Sequence, residues 1–174
     1  MRGSYVVQPE RFRDERGWFA RTYCANEFAT IGHDKPWVQM NHSYTAKKGS
    51  IRGMHFQYPP HKEIKLVRCI RGKVFDVIVD VRNGSETFLR WFGTELSEEN
   101  MVMLYIPAGF AHGFQTLADG CELIYHHSEF YTPGAEGGIR YNDPSVGITW
   151  PLEAENLSER DRNHPVLTQN FKGI

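Results

Sequence analysis

Alternation of apolar and polar positions is the strongest pattern in the chain, and it lies in the middle. In Lys73-Val-Phe-Asp-Val-Ile-Val-Asp-Val-Arg82, Phe75, Val77, Val79 and Val81 fall on one face of a strand; Val74, Asp76, Ile78 and Asp80 fall on the other. The strand-like pattern begins at Lys65. Asn83-Gly84-Ser85 supplies a turn, Arg90–Leu96 a second strand and Met101–Ile106 a third. Pro107-Ala-Gly109 makes another turn. Phe114–Leu117 and Cys121–Tyr131 are further strands, split by Asp119-Gly120. Helical periodicity is weak and confined to the ends, at Cys24–Ile31 and Leu157–Arg162. Short strands alternating with turns predict an all-β sandwich or barrel.

Composition agrees: 11 Phe, 8 Tyr, 4 Trp, 16 Gly and 9 Pro suit strands and turns. No linker, repeat or low-complexity stretch divides the 174 residues, so one domain over 1–174 is expected. Twenty basic residues against 21 acidic ones, with no long basic run, argue against nucleic-acid binding. Apolar runs such as Val77-Ile78-Val79 fall far short of the ~20 residues that cross a bilayer, and no secretory signal opens the chain. Cys24, Cys69 and Cys121 fit neither a disulfide framework nor a Cys-x-x-Cys site, so a reducing cytoplasm is the expected setting.

The eight histidines pose the chemical question. His33, His61 and His164 read as surface or satisfied core residues. His126 and His127 are neighbours on a strand and point to opposite faces. His55 and His112 stand in more suggestive surroundings. Pro107-x-Gly109-x-x-His112 resembles the second motif of the cupin superfamily, a double-stranded jelly roll. The first cupin motif supplies further metal ligands. Here His55 occupies its first histidine, Gln57 stands at the second, and Lys65 replaces the ligating glutamate. An ammonium has only donors and repels a cation, so neither metal nor organic cofactor is expected. A neutral His beside an ammonium suits another task. The His removes a proton next to a ketone, and the Lys steadies the resulting negative oxygen. Tyr125 is a candidate to return the proton, or else a Tyr packed in a β core.

At this level the resemblance becomes specific. Asp14-Glu-Arg-Gly17, Arg52-Gly-Met-His-Phe-Gln57, Lys65-Leu-Val-Arg68, Phe75-Asp-Val-x-Val-Asp80 and Leu96-Ser-x-Glu-Asn100 appear in order. Ile106-Pro-x-Gly-Phe-Ala-His-Gly-Phe114, Ile148-Thr-Trp-Pro151 and Leu157-Ser-Glu-Arg-Asp161 follow. Together they resemble the dTDP-4-dehydrorhamnose 3,5-epimerase family from about Phe12 to Leu167. The resemblance implies a cupin jelly roll and a nucleotide-linked 4-keto-6-deoxy sugar as substrate. It implies His55 as base, Asp161 as its acidic partner, Lys65 at the enolate oxygen and Tyr125 as general acid. His112 is implied beside that centre, and Arg16 and Arg52 at the diphosphate. Phe12, Gln39, Asn41 and Tyr131 or Phe130 are implied along the sugar and base, with Glu136 and Arg160 completing the substrate-binding set. A homodimer is implied too, with the N-terminal stretch reaching the partner's site.

Ser158-x-x-Asp161 also reads as the cap of a short helix. Arg21 departs from the family, which has a Glu there that accepts from thymine N3–H. An Arg cannot accept, so two readings stand. Arg21 meets a base rich in acceptors, or it points away and another group reads thymine. Three other functions compete with epimerisation: a non-catalytic sugar-nucleotide-binding cupin, a metal-dependent cupin enzyme and a 3,4-ketoisomerase.

Overall fold

The computed structural model describes residues 1–174. Its strands are β1 (Tyr5–Val7), β2 (Arg11–Asp14), β3 (Gly17–Ala20), β4 (Gln39–Thr45), β5 (Ile51–Gln57), β6 (Lys65–Arg71), β7 (Lys73–Asp80), β8 (Trp91–Ser97), β9 (Met103–Ile106), β10 (Phe110–Thr116), β11 (Cys121–His127) and β12 (Glu136–Gly138). The helices α1 (Ala25–Ala29) and α2 (Glu159–Asn163) are each five residues long. One antiparallel sheet runs β1-β9-β6-β11-β4, the other β12-β5-β10-β7-β8, and β2-β3 form a separate hairpin. The two five-stranded sheets face one another in a jelly roll. Val67, Cys69, Leu104 and Leu123 from the first pack on Val74, Ile78, Leu96 and Phe114 from the second.

The expected β7 alternation is present, but both of its faces are buried. Val74 and Ile78 point between the sheets, while Val77, Val79 and Val81 meet Ile139, Val146 and the C-terminal segment outside. Two sequence-derived boundaries differ by more than two residues. The strand expected at Phe114–Leu117 starts at Phe110, directly after the Pro107-Ala-Gly109 turn, and so carries His112 within its ladder. The strand expected to reach Tyr131 ends at His127. There the chain leaves the sheet, and the Ser128 hydroxyl accepts the Ile64 N–H at 2.8 Å.

The interior changes character along the barrel because strand side chains repeat every second residue. On β11, Cys121 and Leu123 lie in the apolar core, and the same face continues as Tyr125 and His127. On β6, Cys69 and Val67 give way to Lys65. The inner faces of β4 and β5 end in Gln39, Asn41 and Ser43 and in His55 and Gln57. One end of the sandwich is therefore an oily plug, and the other is a polar cavity. All three cysteines are free, and burial pushes the Cys69 thiol up to about 12, which leaves it inert. No helix is long and apolar enough to cross a membrane.

Candidate active site

The cavity between the sheets has a volume of about 300 Å³. His55 and His112 enter it from adjacent strands of one sheet and are register partners. Tyr125 and Lys65 enter from β11 and β6 of the other. Arg52, Gln39, Asn41, Tyr131, Glu136 and Arg160 also line it.

His55 Nε2 lies 2.6 Å from Asp161 Oδ1. Asp161 is placed by α2. Its backbone N–H donates to the Ser158 hydroxyl at 3.0 Å, so the residue is both a cap partner and the histidine's acidic partner. Its second oxygen accepts the Gly53 N–H at 3.2 Å. That approach depends on glycine. Gly53 has φ +127°, and a Cβ there would stand 2.5 Å from Gly113 Cα. Burial alone would raise the Asp161 pKa. The His55 hydrogen bond, the His55 charge and the Gly53 N–H outweigh it and bring the carboxyl to about 2. A carboxylate on Nε2 holds the proton there, which leaves the Nδ1 lone pair as the basic position of His55. Arg160 Nη2 also stands 3.0 Å from Nε2, but a guanidinium only donates. The shorter, charge-assisted contact to Asp161 therefore fixes the tautomer.

On the opposite wall, the Tyr125 hydroxyl pairs with Ser43 Oγ at 2.9 Å. Burial pushes its phenol well above the usual range, against the opposing effects of the Ser43 hydrogen bond and the Arg52 charge. It is therefore a protonated donor at neutral pH. The His112 ring stands edge-on to Tyr125, with centroids 6.2 Å apart, and its Nε2 is 2.8 Å from buried Asp76 Oδ1. Lys65, 7% exposed, reaches Glu63 Oε1 at 3.1 Å. The other Glu63 oxygen meets His127 Nδ1 at 2.6 Å.

Four expected site residues lie elsewhere. Phe12 and Arg21 border a separate groove beside the β2-β3 hairpin, and Arg21 pairs with Glu27 at 2.8 Å. Arg16 is exposed and pairs with Asp14. The Phe130 ring is exposed, and the residue is engaged through its backbone, the carbonyl accepting from Gln57 Nε2 at 3.2 Å and the N–H donating to Glu129 Oε1 at 2.9 Å. Glu63, Ser43 and Asp76 had not been singled out as site residues. His127 had a usable signal, since it lies two residues past Tyr125 and so shares its face.

The cupin metal positions do not suit a cation here. Gln57 spends its amide on the His61 and Phe130 carbonyls and on the Thr132 N–H. Lys65 places an ammonium among them. A second group, His55, Asp161 and His164, has ligand atoms within 4.8 Å of one another, but the Arg160 guanidinium lies against its His55 nitrogen.

A family model described as dTDP-4-dehydrorhamnose 3,5-epimerase matches residues 1–169. The chain belongs to that family. It is 45% identical over 166 residues to the dTDP-4-dehydrorhamnose 3,5-epimerase of Salmonella typhimurium, covering 94% of this chain and 90% of that one. The crystal structure of the Bacillus anthracis dTDP-4-dehydrorhamnose 3,5-epimerase, with TDP and pyrophosphate bound, superposes with a TM-score of 0.91 at 40% identity, covering 94% of both chains. A 3'-monoepimerase from Streptomyces bikiniensis, in complex with dTDP-quinovose, gives 0.87 at 36% identity over 94% of this chain and 83% of its own. A protein named as a 3,5-epimerase and one named as a 3'-monoepimerase thus share this fold.

Proposed function

We propose that the chain is a cofactor-independent epimerase of a nucleotide-linked 4-keto-6-deoxy sugar, acting at C3 and C5, the two carbons that flank the ketone. The observation that carries this reading is the split of acid and base between the sheets. His55 with Asp161 stands on one wall, and Tyr125 stands on the other. Inversion requires a proton to leave one face of the ring and another to arrive at the opposite face. Nδ1 of His55 takes the C–H proton. Asp161 steadies the imidazolium that forms, and the Lys65 ammonium steadies the C4 oxygen as it becomes an enolate. Tyr125 then donates its phenolic proton to the other face of the carbon. Solvent resets both groups between turnovers. His112, held by Asp76, borders Tyr125 and the reacting ring. Arg52 and Arg160 suit the diphosphate, for which a guanidinium fork is well shaped.

We further propose a homodimer in which the β2-β3 hairpin serves the partner's cavity. On the hairpin, Phe12, Trp18 and Phe19 are 58, 49 and 66% exposed. Such aromatics are uncovered at a cost unless something lies against them. This arrangement would bring Phe12 and Arg16 to a nucleotide that their own subunit's cavity does not reach.

Proton NMR in D2O with dTDP-4-keto-6-deoxyglucose tests the reaction. Loss of the C3 and C5 proton signals and appearance of inverted product are expected, and both should survive EDTA. His55→Ala should lose exchange and product together. Tyr125→Phe should keep part of the exchange while inversion falls steeply. Normal exchange in His55→Ala, or normal inversion in Tyr125→Phe, would overturn these roles.

A further inference from the structure

The Tyr131 backbone N–H donates to Gln39 Oε1 at 3.1 Å. A backbone amide is a donor in every rotamer, so this contact sets the direction of everything joined to it. With its oxygen engaged, Gln39 offers Nε2 to Asn41 Oδ1 at 3.3 Å. Asn41 in turn presents Nδ2 to His127 Nε2 at 3.2 Å. That nitrogen must then carry a lone pair, so the single ring proton of His127 is on Nδ1. Nδ1 points at Glu63 Oε2 at 2.6 Å, and Glu63 Oε1 meets Lys65 Nζ at 3.1 Å. Six residues are thus joined: donation runs one way from the Tyr131 backbone amide to the Glu63 carboxylate, which accepts from the Lys65 ammonium on its other oxygen.

We propose that Glu63 and neutral His127 are positioning residues that hold the Lys65 ammonium at the reacting oxygen, with the proton of His127 on Nδ1. The proposal deepens the epimerase reading above and rests on it. A lone buried ammonium is costly and mobile. Glu63 supplies its counter-charge and uses one of its three N–H bonds, leaving two for an oxygen in the cavity. The His127 donor occupies the far oxygen of Glu63, so the carboxylate cannot rotate towards the developing enolate. Glu63 is ionised throughout the working range. Burial opposes this, but the His127 hydrogen bond and the Lys65 charge outweigh it and hold the carboxyl below its ordinary range. His127 and Lys65 are each 7% exposed, so water does not substitute for these partners.

Two amide replacements of His127 separate positioning from bulk packing. The Asn amide nitrogen stands near the position of Nδ1, and the Gln amide nitrogen near that of Nε2. His127→Asn keeps the donor to Glu63 and should hold kcat within about threefold of wild type, whereas His127→Gln should lose about 10–100-fold in kcat with KM nearly constant. Glu63→Gln should lose a similar factor, again in kcat. Long-range 15N NMR of the resting wild-type protein at pH 8 gives a readout that needs no turnover, and the Nδ1–H tautomer of His127 is expected. An Nε2–H tautomer, equal kcat in the two His127 variants, or an unchanged kcat in Glu63→Gln would each overturn the proposal. If Glu63→Gln fails to fold, the His127 pair and the tautomer still decide it. A wild-type protein that exchanges no proton from the 4-keto sugar would sink the epimerase reading instead, and the NMR result would stand apart from that.

Discussion

Asp14 pairs with Arg16 on the β2-β3 hairpin, and Glu63 pairs with Lys65 in the cavity. The side chains of the first pair are 49 and 85% exposed, and those of the second 11 and 9%. The chemistry is the same, yet the consequences differ. The hairpin pair is solvated and screened, so it fixes neither partner and is worth little. The cavity pair is closed from water, joined to His127 and tied through two amides to the backbone. Groups that must be held within fractions of an ångström of reacting atoms are built into sheet interiors. Groups on the hairpin are left exposed to solvent.

The largest expected effect in that contrast is at Asp161. An Asn there can still accept the Gly53 N–H through its oxygen, which turns its amide nitrogen towards His55 Nε2. Nε2 must then accept, and the ring proton moves to Nδ1, the position that should be basic. Asp161→Asn is therefore expected to lower kcat by about 10²–10⁴-fold with KM little changed, as measured by steady-state epimerisation. A variant within threefold of wild type would mean that the carboxylate does not set the tautomer.

Hairpin substitutions should act on the other parameter. Arg16→Ala is expected to raise KM about 10–100-fold, the usual worth of a charge-assisted contact, and to leave kcat nearly intact. Mixing Arg16→Ala protein with inactive His55→Ala protein breaks or sharpens the comparison directly. If the hairpin serves the partner, each mixed dimer contains one intact site, and random re-association restores roughly a quarter of wild-type activity at low substrate. No recovery after verified subunit exchange would put the hairpin in the service of its own cavity.

The same contrast explains what could be read in advance. Strands β7, β8, β9 and β11 were legible because each carries apolar side chains into a core. β4 was not, because its inner face is Gln39, Asn41 and Ser43, and a strand lining a polar cavity reads as a loop. β10 begins four residues before the pattern predicts, because all seven of its residues are buried, which leaves no alternation to follow. His55, Lys65, Tyr125 and Asp161 were found through motif resemblance, and the cavity brings them together. Glu63 was missed because it precedes its strand and meets His127 across 64 residues, a pairing that only the fold creates. Phe12, Arg16 and Arg21 come from the same resemblance, and none of them lines the cavity.

The smallest effect concerns acid stability, and it separates the two carboxylate pairs once more. The Glu63 carboxyl sits at about 2 against an ordinary 4.5, so its folded-state pKa is depressed. Its contribution is complete above the unfolded value and is lost as pH falls through the folded one, that is, between about 4.5 and about 2. Asp14 is lowered too, by the Arg16 side-chain and backbone hydrogen bonds, but it lies on the surface, where solvent screens the pair. Urea midpoints measured from pH 6 down to pH 2 should therefore fall less steeply in Glu63→Gln than in wild type. Asp14→Asn should overlay the wild-type curve. Equal slopes for wild type and Glu63→Gln would mean that the cavity carboxylate is no better held than the one on the hairpin, and the contrast between the two regions would then rest on catalysis alone.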